Sequence, residues 1–96
     1  MQPSSDQALV KILADLFREC GEAHSRAFRD KGGEDPEWPL WYADFLMARL
    51  TKRLRAKFTK SELVYLLVAA DREQEFRAPG ADSPGYYAKF FYDRYL

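Results

Sequence analysis

The chain holds a single cysteine, Cys20, so no internal disulfide can form and a stapled secreted scaffold is excluded. A single histidine, His24, leaves too few soft ligands for a zinc site unless carboxylates or a second chain complete it. No apolar run exceeds eight residues, far short of the roughly 20 that a membrane span needs. The amino end, Met1-Gln2-Pro3-Ser4-Ser5-Asp6, lacks the basic cluster and apolar stretch of a secretory leader. Net charge is also missing: 15 basic and 15 acidic residues cancel, which removes any global field toward nucleic acid, a membrane or an acidic partner. These absences lead to the expectation of a cytoplasmic protein with no metal, no cofactor, and neither nucleic acid nor membrane as partner.

What is present is the composition of an ordinary globular domain, 47% apolar and 31% charged, and 96 residues suffice for one domain spanning 1–96. Its longest apolar run is Leu63-Val64-Tyr65-Leu66-Leu67-Val68-Ala69-Ala70. Thr59-Lys60-Ser61-Glu62 precedes it and has the form of a capping box, in which Thr59 and Glu62 satisfy each other's free amides. Good helix formers follow as far as Pro79, so the spacing predicts a helix over 60–77. A helix apolar on every side for two turns must be enclosed by other helices or by a second chain. This third helix is therefore expected to be central.

The rest of the chain reads as helices around it. Leu9, Leu13, Leu16, Cys20, His24 and Ala27 recur at steps of three and four, the period of an amphipathic helix over 5–30 capped by Ser4 or Ser5. Its polar side offers Arg18/Glu22 and Glu22/Arg26 as ion pairs, and Lys31-Gly32-Gly33 supplies its stop. Two prolines, Pro36 and Pro39, interrupt the acidic connection that follows, and a second helix is expected over 39–57 with Tyr42, Phe45, Leu46, Leu50 and Leu54 inward. The stretch 78–85 reads as a loop by composition, and within it Ser83 and Pro84 read as cap and first position of a short helix near 84–95. That segment, Tyr86 to Leu96, carries six aromatics in eleven residues and is expected to dock.

Four constellations bear on function. Trp38-Pro39-Leu40-Trp41-Tyr42 puts both tryptophans at one helix start, either as core closing a bundle end or as an aromatic mouth for an organic ligand. Cys20 and His24 lie one turn apart within the apolar stripe, which favours a buried thiol and a hydrogen-bonded core histidine over a metal pair or nucleophile. Asp44 and Tyr42 are the polar partners expected for His24. Arg49, Lys52, Arg53, Arg55, Lys57 and Lys60 form a basic segment, but the helix after it opens with Glu62 and turns apolar, unlike a DNA-reading helix, and basic residues near a helix end also complement its dipole. Finally, the apolar third helix and the aromatic tail exceed what short helices hide, which points to self-association on a two-fold axis.

Glu37-Trp38-Pro39-Leu40-Trp41-Tyr42-Ala43-Asp44-Phe45-Leu46, together with Lys60-Ser61-Glu62-Leu63-Val64-Tyr65-Leu66-Leu67, resembles a group of small uncharacterised bacterial proteins. These share a Trp-Pro-x-Trp-Tyr-Ala core and a Ser-Glu-Leu-Val-Tyr helix. The resemblance runs from about His24 to Glu75 and implies a compact helical domain of bacterial origin, with no activity or cofactor attached to it.

The expectation is therefore an all-α fold, a compact bundle of three main helices plus a short aromatic C-terminal helix. The expected function is a non-enzymatic interaction module forming a homodimer or binding a protein partner. The alternative is a binder of a small apolar or aromatic ligand at Trp38, Trp41, Tyr42, His24 and Asp44. One histidine and one cysteine form no set of nucleophile, base and orienting group, so no catalytic residue is assigned.

Overall fold

The computed structural model describes residues 3–54 and 57–95. Four α-helices and no strand are found there: α1 (Pro3–Ala27), α2 (Trp38–Leu54), α3 (Lys60–Arg77) and α4 (Ser83–Tyr95). Each packs on its neighbours in a cycle, with α1 on α2, α2 on α3, α3 on α4 and α4 back on α1; the contact between α1 and α4 is the most extensive. The third helix is thus one of four in a ring and not the centre of the fold. It contacts α2 and α4, while α1 carries the broadest interface.

Local chemistry accounts for most of the boundaries. The capping box at α3 forms as its residues require: Thr59 Oγ1 accepts the Glu62 amide at 3.1 Å and Glu62 Oε1 accepts the Thr59 amide at 2.7 Å. A helix start so pinned stabilises by about 1 kcal/mol over an uncapped one. α1 is described from Pro3, ahead of the cap expected at Ser4 or Ser5, and it ends at Ala27 rather than near residue 30. Beyond it the chain tightens into a 3-10 turn at Arg29–Lys31, and Gly32 and Gly33, at φ 67° and 79°, turn it back in the left-handed region that glycine enters freely.

At α4 the expected cap is corrected. Ser83 is already helical, and Asp82 does the capping, with Oδ2 accepting the Gly85 amide at 3.2 Å. The same carboxylate oxygen takes Arg18 of α1 at 3.2 Å, so one side chain starts α4 and fastens it to α1. Arg18 also bridges to Asp15 at 3.2 Å, one turn back, in place of the pairs expected with Glu22. The chain end of α2 near 57 falls partly on residues outside those described, and Arg55 of the basic segment lies there as well.

The core runs the length of the ring. Leu13, Phe17 and Cys20 of α1, Leu46 and Leu50 of α2, Leu63 and Leu67 of α3, and Phe91 of α4 are at most 2% exposed. Phe17 meets Tyr87 edge-on at 5.5 Å between centroids and Phe91 at 5.3 Å, forming the seam between α1 and α4. Within α3 the apolar run divides by helical geometry. Leu63, Leu66, Leu67, Ala70 and Gln74 point inward, Val64, Val68 and Ala69 flank them half-buried, and Tyr65 is 72% exposed. The third helix is therefore covered on one side only, and Phe76, 88% exposed, continues the open side. Gln74, polar and buried, is satisfied by donating to the Ala81 carbonyl at 2.7 Å, which holds the last loop down.

Phe91→Ala should cost about 3–5 kcal/mol, because the seam cannot collapse onto the cavity without moving a helix. Phe76→Ala should change stability by less than about 0.5 kcal/mol, since its ring touches little. Urea denaturation of the two variants beside the wild type checks both values.

Candidate functional site

The aromatic end of the molecule is built by α1 and the start of α2, brought together by the Gly32-Gly33 reversal. Asp35 is the residue that joins them. Its Oδ1 accepts the Glu37 amide at 3.0 Å, shaping the turn into α2, and its Oδ2 lies 3.1 Å from His24 Nε2. Both side chains are sequestered, His24 9% and Asp35 10% exposed. A carboxylate only accepts, which assigns the ring proton to Nε2. The partner expected for His24 is corrected here. Asp44 is exposed on the outer side of α2 and pairs with Lys60 Nζ at 2.6 Å, tying α2 to α3, and Asp35 takes the histidine instead. A backbone turn decides this, because it carries Asp35 back over α1 from eleven residues away.

Around His24 the rings form a continuous ladder. Phe28 stacks on it at 4.6 Å, Trp41 meets it edge-on at 5.2 Å and Tyr42 lies tilted at 5.4 Å. Trp41 stacks on Phe45 at 5.7 Å, and the Arg49 guanidinium lies over the Phe45 ring at 4.0 Å. Trp38 closes on Tyr42 at 5.1 Å. Both tryptophans are half-buried and pack against the core. Such ring pairs contribute roughly 0.5–1.5 kcal/mol each beyond their burial. The histidine is thus a buried, hydrogen-bonded core residue, as its place in the apolar stripe predicts.

Cys20 is fully buried beside this cluster, and burial pushes its thiol up to about 12, with Arg49 opposing and Glu19 adding. A thiol so held is a neutral packing group and not a nucleophile. Among the described residues no group of three or more His, Cys, Asp or Glu is placed to hold a metal ion. Nor, among the described residues, is any helix long and apolar enough to cross a membrane.

Tyr42 has a second setting that the sequence does not announce. Its hydroxyl faces a cleft of about 540 Å3 between α1, the start of α2 and the start of α4, where Phe17, Gly21, Glu22 and Tyr87 are its principal walls. Of Trp38, Trp41, Tyr42, His24 and Asp44, only Tyr42 lines this cleft. Tyr87 is anchored by donating its hydroxyl to Asp71 Oδ1 of α3 at 2.9 Å. Burial raises the Tyr42 phenol to about 12, with Cys20 and Asp71 adding to the shift. Burial raises Tyr87 as well, followed by the charge of Asp71 and its hydrogen bond. Gly21 is the residue that could have signalled the cleft. Glycine inside a helix costs about 1 kcal/mol against alanine and usually marks a close approach; here a β-carbon would lie 3.4 Å from the Tyr42 hydroxyl. Asp35, Asp71 and Tyr87 gave no signal, because their partners come from other elements.

No known protein family, curated protein or solved structure matches the chain.

Asp35→Ala leaves the buried Nε2 without its acceptor and should cost about 1–3 kcal/mol at pH 7, read from urea unfolding. A loss below about 0.5 kcal/mol would show that the contact does not hold the connection. Alkaline pH should also destabilise the fold. An unfolded chain loses its thiol and phenol protons from their ordinary values of 9.0 and 10.0, whereas Cys20 and Tyr42 in the folded chain keep theirs to about 12. The folded state then binds more protons than the unfolded one, so stability falls as the pH rises from about 9 to 12. The urea midpoint followed across that window should drop, and Tyr42→Phe should make the drop shallower.

Proposed function

We propose that the protein is a non-enzymatic helical interaction module that pairs with a second copy of itself through the open side of α3. The observation that carries this reading is the exposure of Tyr65 and Phe76, 72% and 88%, on a helix whose other side is core. Eleven residues separate them, three turns of helix, so both lie on one face about 16 Å apart. Half-buried Val68 and Ala69 and the exposed Arg72 complete that face.

The face is complementary to itself. In an antiparallel pairing centred between residues 70 and 71, Tyr65 of one copy meets Phe76 of the other, and the small Ala69 meets the long Arg72. Balanced charge over the chain leaves no long-range repulsion between copies. Large exposed aromatics clustered on one helix are what association surfaces carry. One helix face is near the low end of area for a specific complex, so micromolar pairing is expected.

The small-molecule reading at the aromatic end has less support, because Trp38, Trp41 and His24 pack on one another and on Phe28 and Phe45. Sedimentation velocity over a range of concentrations tests the module. A dimer should form in the micromolar range, and Phe76→Ser should weaken it at least about tenfold, or 1.4 kcal/mol, with helicity unchanged. A wild-type chain still monomeric at several hundred micromolar overturns the reading.

A further inference from the structure

We infer that the cleft between α1, the start of α2 and the start of α4 binds a small organic cation, an amine carried on an aromatic or alkyl body. The cleft takes no residue from α3, so this inference stands apart from the pairing proposed above. Its volume, about 540 Å3, lies in the range of small-ligand sites.

The walls select the charge of the ligand. Phe17 forms part of the buried floor, and Tyr42 and Tyr87 add two more rings, whose faces attract cations through their quadrupoles. Glu22, at the mouth, has no ion pair among the described residues, since Arg18 is taken by Asp15 and Asp82. The Tyr87 hydroxyl is committed to the Asp71 carboxylate of α3, so Tyr87 offers the cleft its ring. The Tyr42 hydroxyl has no hydrogen bond from any described residue and opens on the cleft. Two acceptors, Glu22 and the Tyr42 phenol oxygen, therefore border a space with aromatic sides. An ammonium group supplies donors to both.

The same residues disfavour an anion. The lone cation on the wall, Arg18, is bridged on both sides at 3.2 Å. The start of α4, which would otherwise offer free amides, is closed by Asp82 on the Gly85 amide. Counting Glu22 and Asp82 against Arg18, the charges at the cleft are net negative. At Gly21 a β-carbon would stand in contact with the Tyr42 hydroxyl at 3.4 Å, so the glycine leaves that corner of the cleft free.

The test titrates 2-phenylethylammonium, 2-phenylethanol and 3-phenylpropionate into the full chain at pH 7, followed by amide NMR shifts. The cation should bind with a Kd below about 1 mM, move the amides of Gly21 and Ser83, and exceed the alcohol and the carboxylate by about tenfold. Glu22→Gln, an exposed change that leaves the fold intact, should weaken the cation about five- to tenfold and leave the alcohol unchanged. Equal binding of cation and carboxylate overturns the inference, as does the absence of saturable shifts at Gly21 and Ser83 with the wild-type chain.

Discussion

Phe17 of α1 lies against Tyr87 and Phe91 of α4, and this contact turns a row of helices into a ring. The other three interfaces join helices that follow one another along the chain. The α1 to α4 interface alone joins elements far apart in sequence, and it is the largest. It also decides how α1 must be built. A helix gripped on two sides needs a wide apolar face, and α1 has one: Leu13, Phe17 and Cys20 are buried, and Leu9, Val10, Ala14 and Leu16 pack at their margins.

Once the ring is closed by apolar contact, single polar contacts fix where its connections run. Asp35 on His24 holds the first connection, Asp44 on Lys60 ties the second helix to the third, and Gln74 on the Ala81 carbonyl with Arg18 on Asp82 holds the last. The exposed pairs among these contribute little energy, about 0–1 kcal/mol. The two buried ones matter more, because a buried donor without its acceptor is costly. The aromatic ladder and the cleft share Tyr42, which packs its ring on His24 and Trp38 and turns its hydroxyl to the cleft. One residue thus couples the packing of the bundle end to the shape of the only described wall that α2 gives the cleft.

The fold class and most helix limits could be read from the residues because local chemistry sets them. The Thr59 to Glu62 box places the start of α3, and the paired glycines place the end of the first segment. Burial of Cys20 and His24 followed from their period. Reading failed where the deciding contact is distant or several residues compete. Asp82, Ser83 and Pro84 are each good helix starters in a row, and Arg18 from another helix favours the aspartate. The run from Leu63 to Ala70 conceals its inward stripe because every position is apolar, so the exposure of Tyr65 was not legible. His24 could not be matched to Asp35 without knowing that two left-handed glycines fold the connection back over α1. Of the cleft, only Tyr42 was visible.

The closing contact between α1 and α4 also orders events during synthesis. α1 leaves the ribosome first with an apolar face meant for two helices, and Phe91 follows the end of α1 by about 60 residues. At ribosomal speeds of roughly 5–20 residues per second, half of that face stays bare for several seconds. Until then the apolar face that α1 turns to α4 in the folded chain has no partner from that helix, and bare apolar surface is what makes a nascent chain prone to stick to others. The ion pairs at Lys11, Asp15 and Arg18 lie beside that surface, and they keep its border charged while the last helix is made.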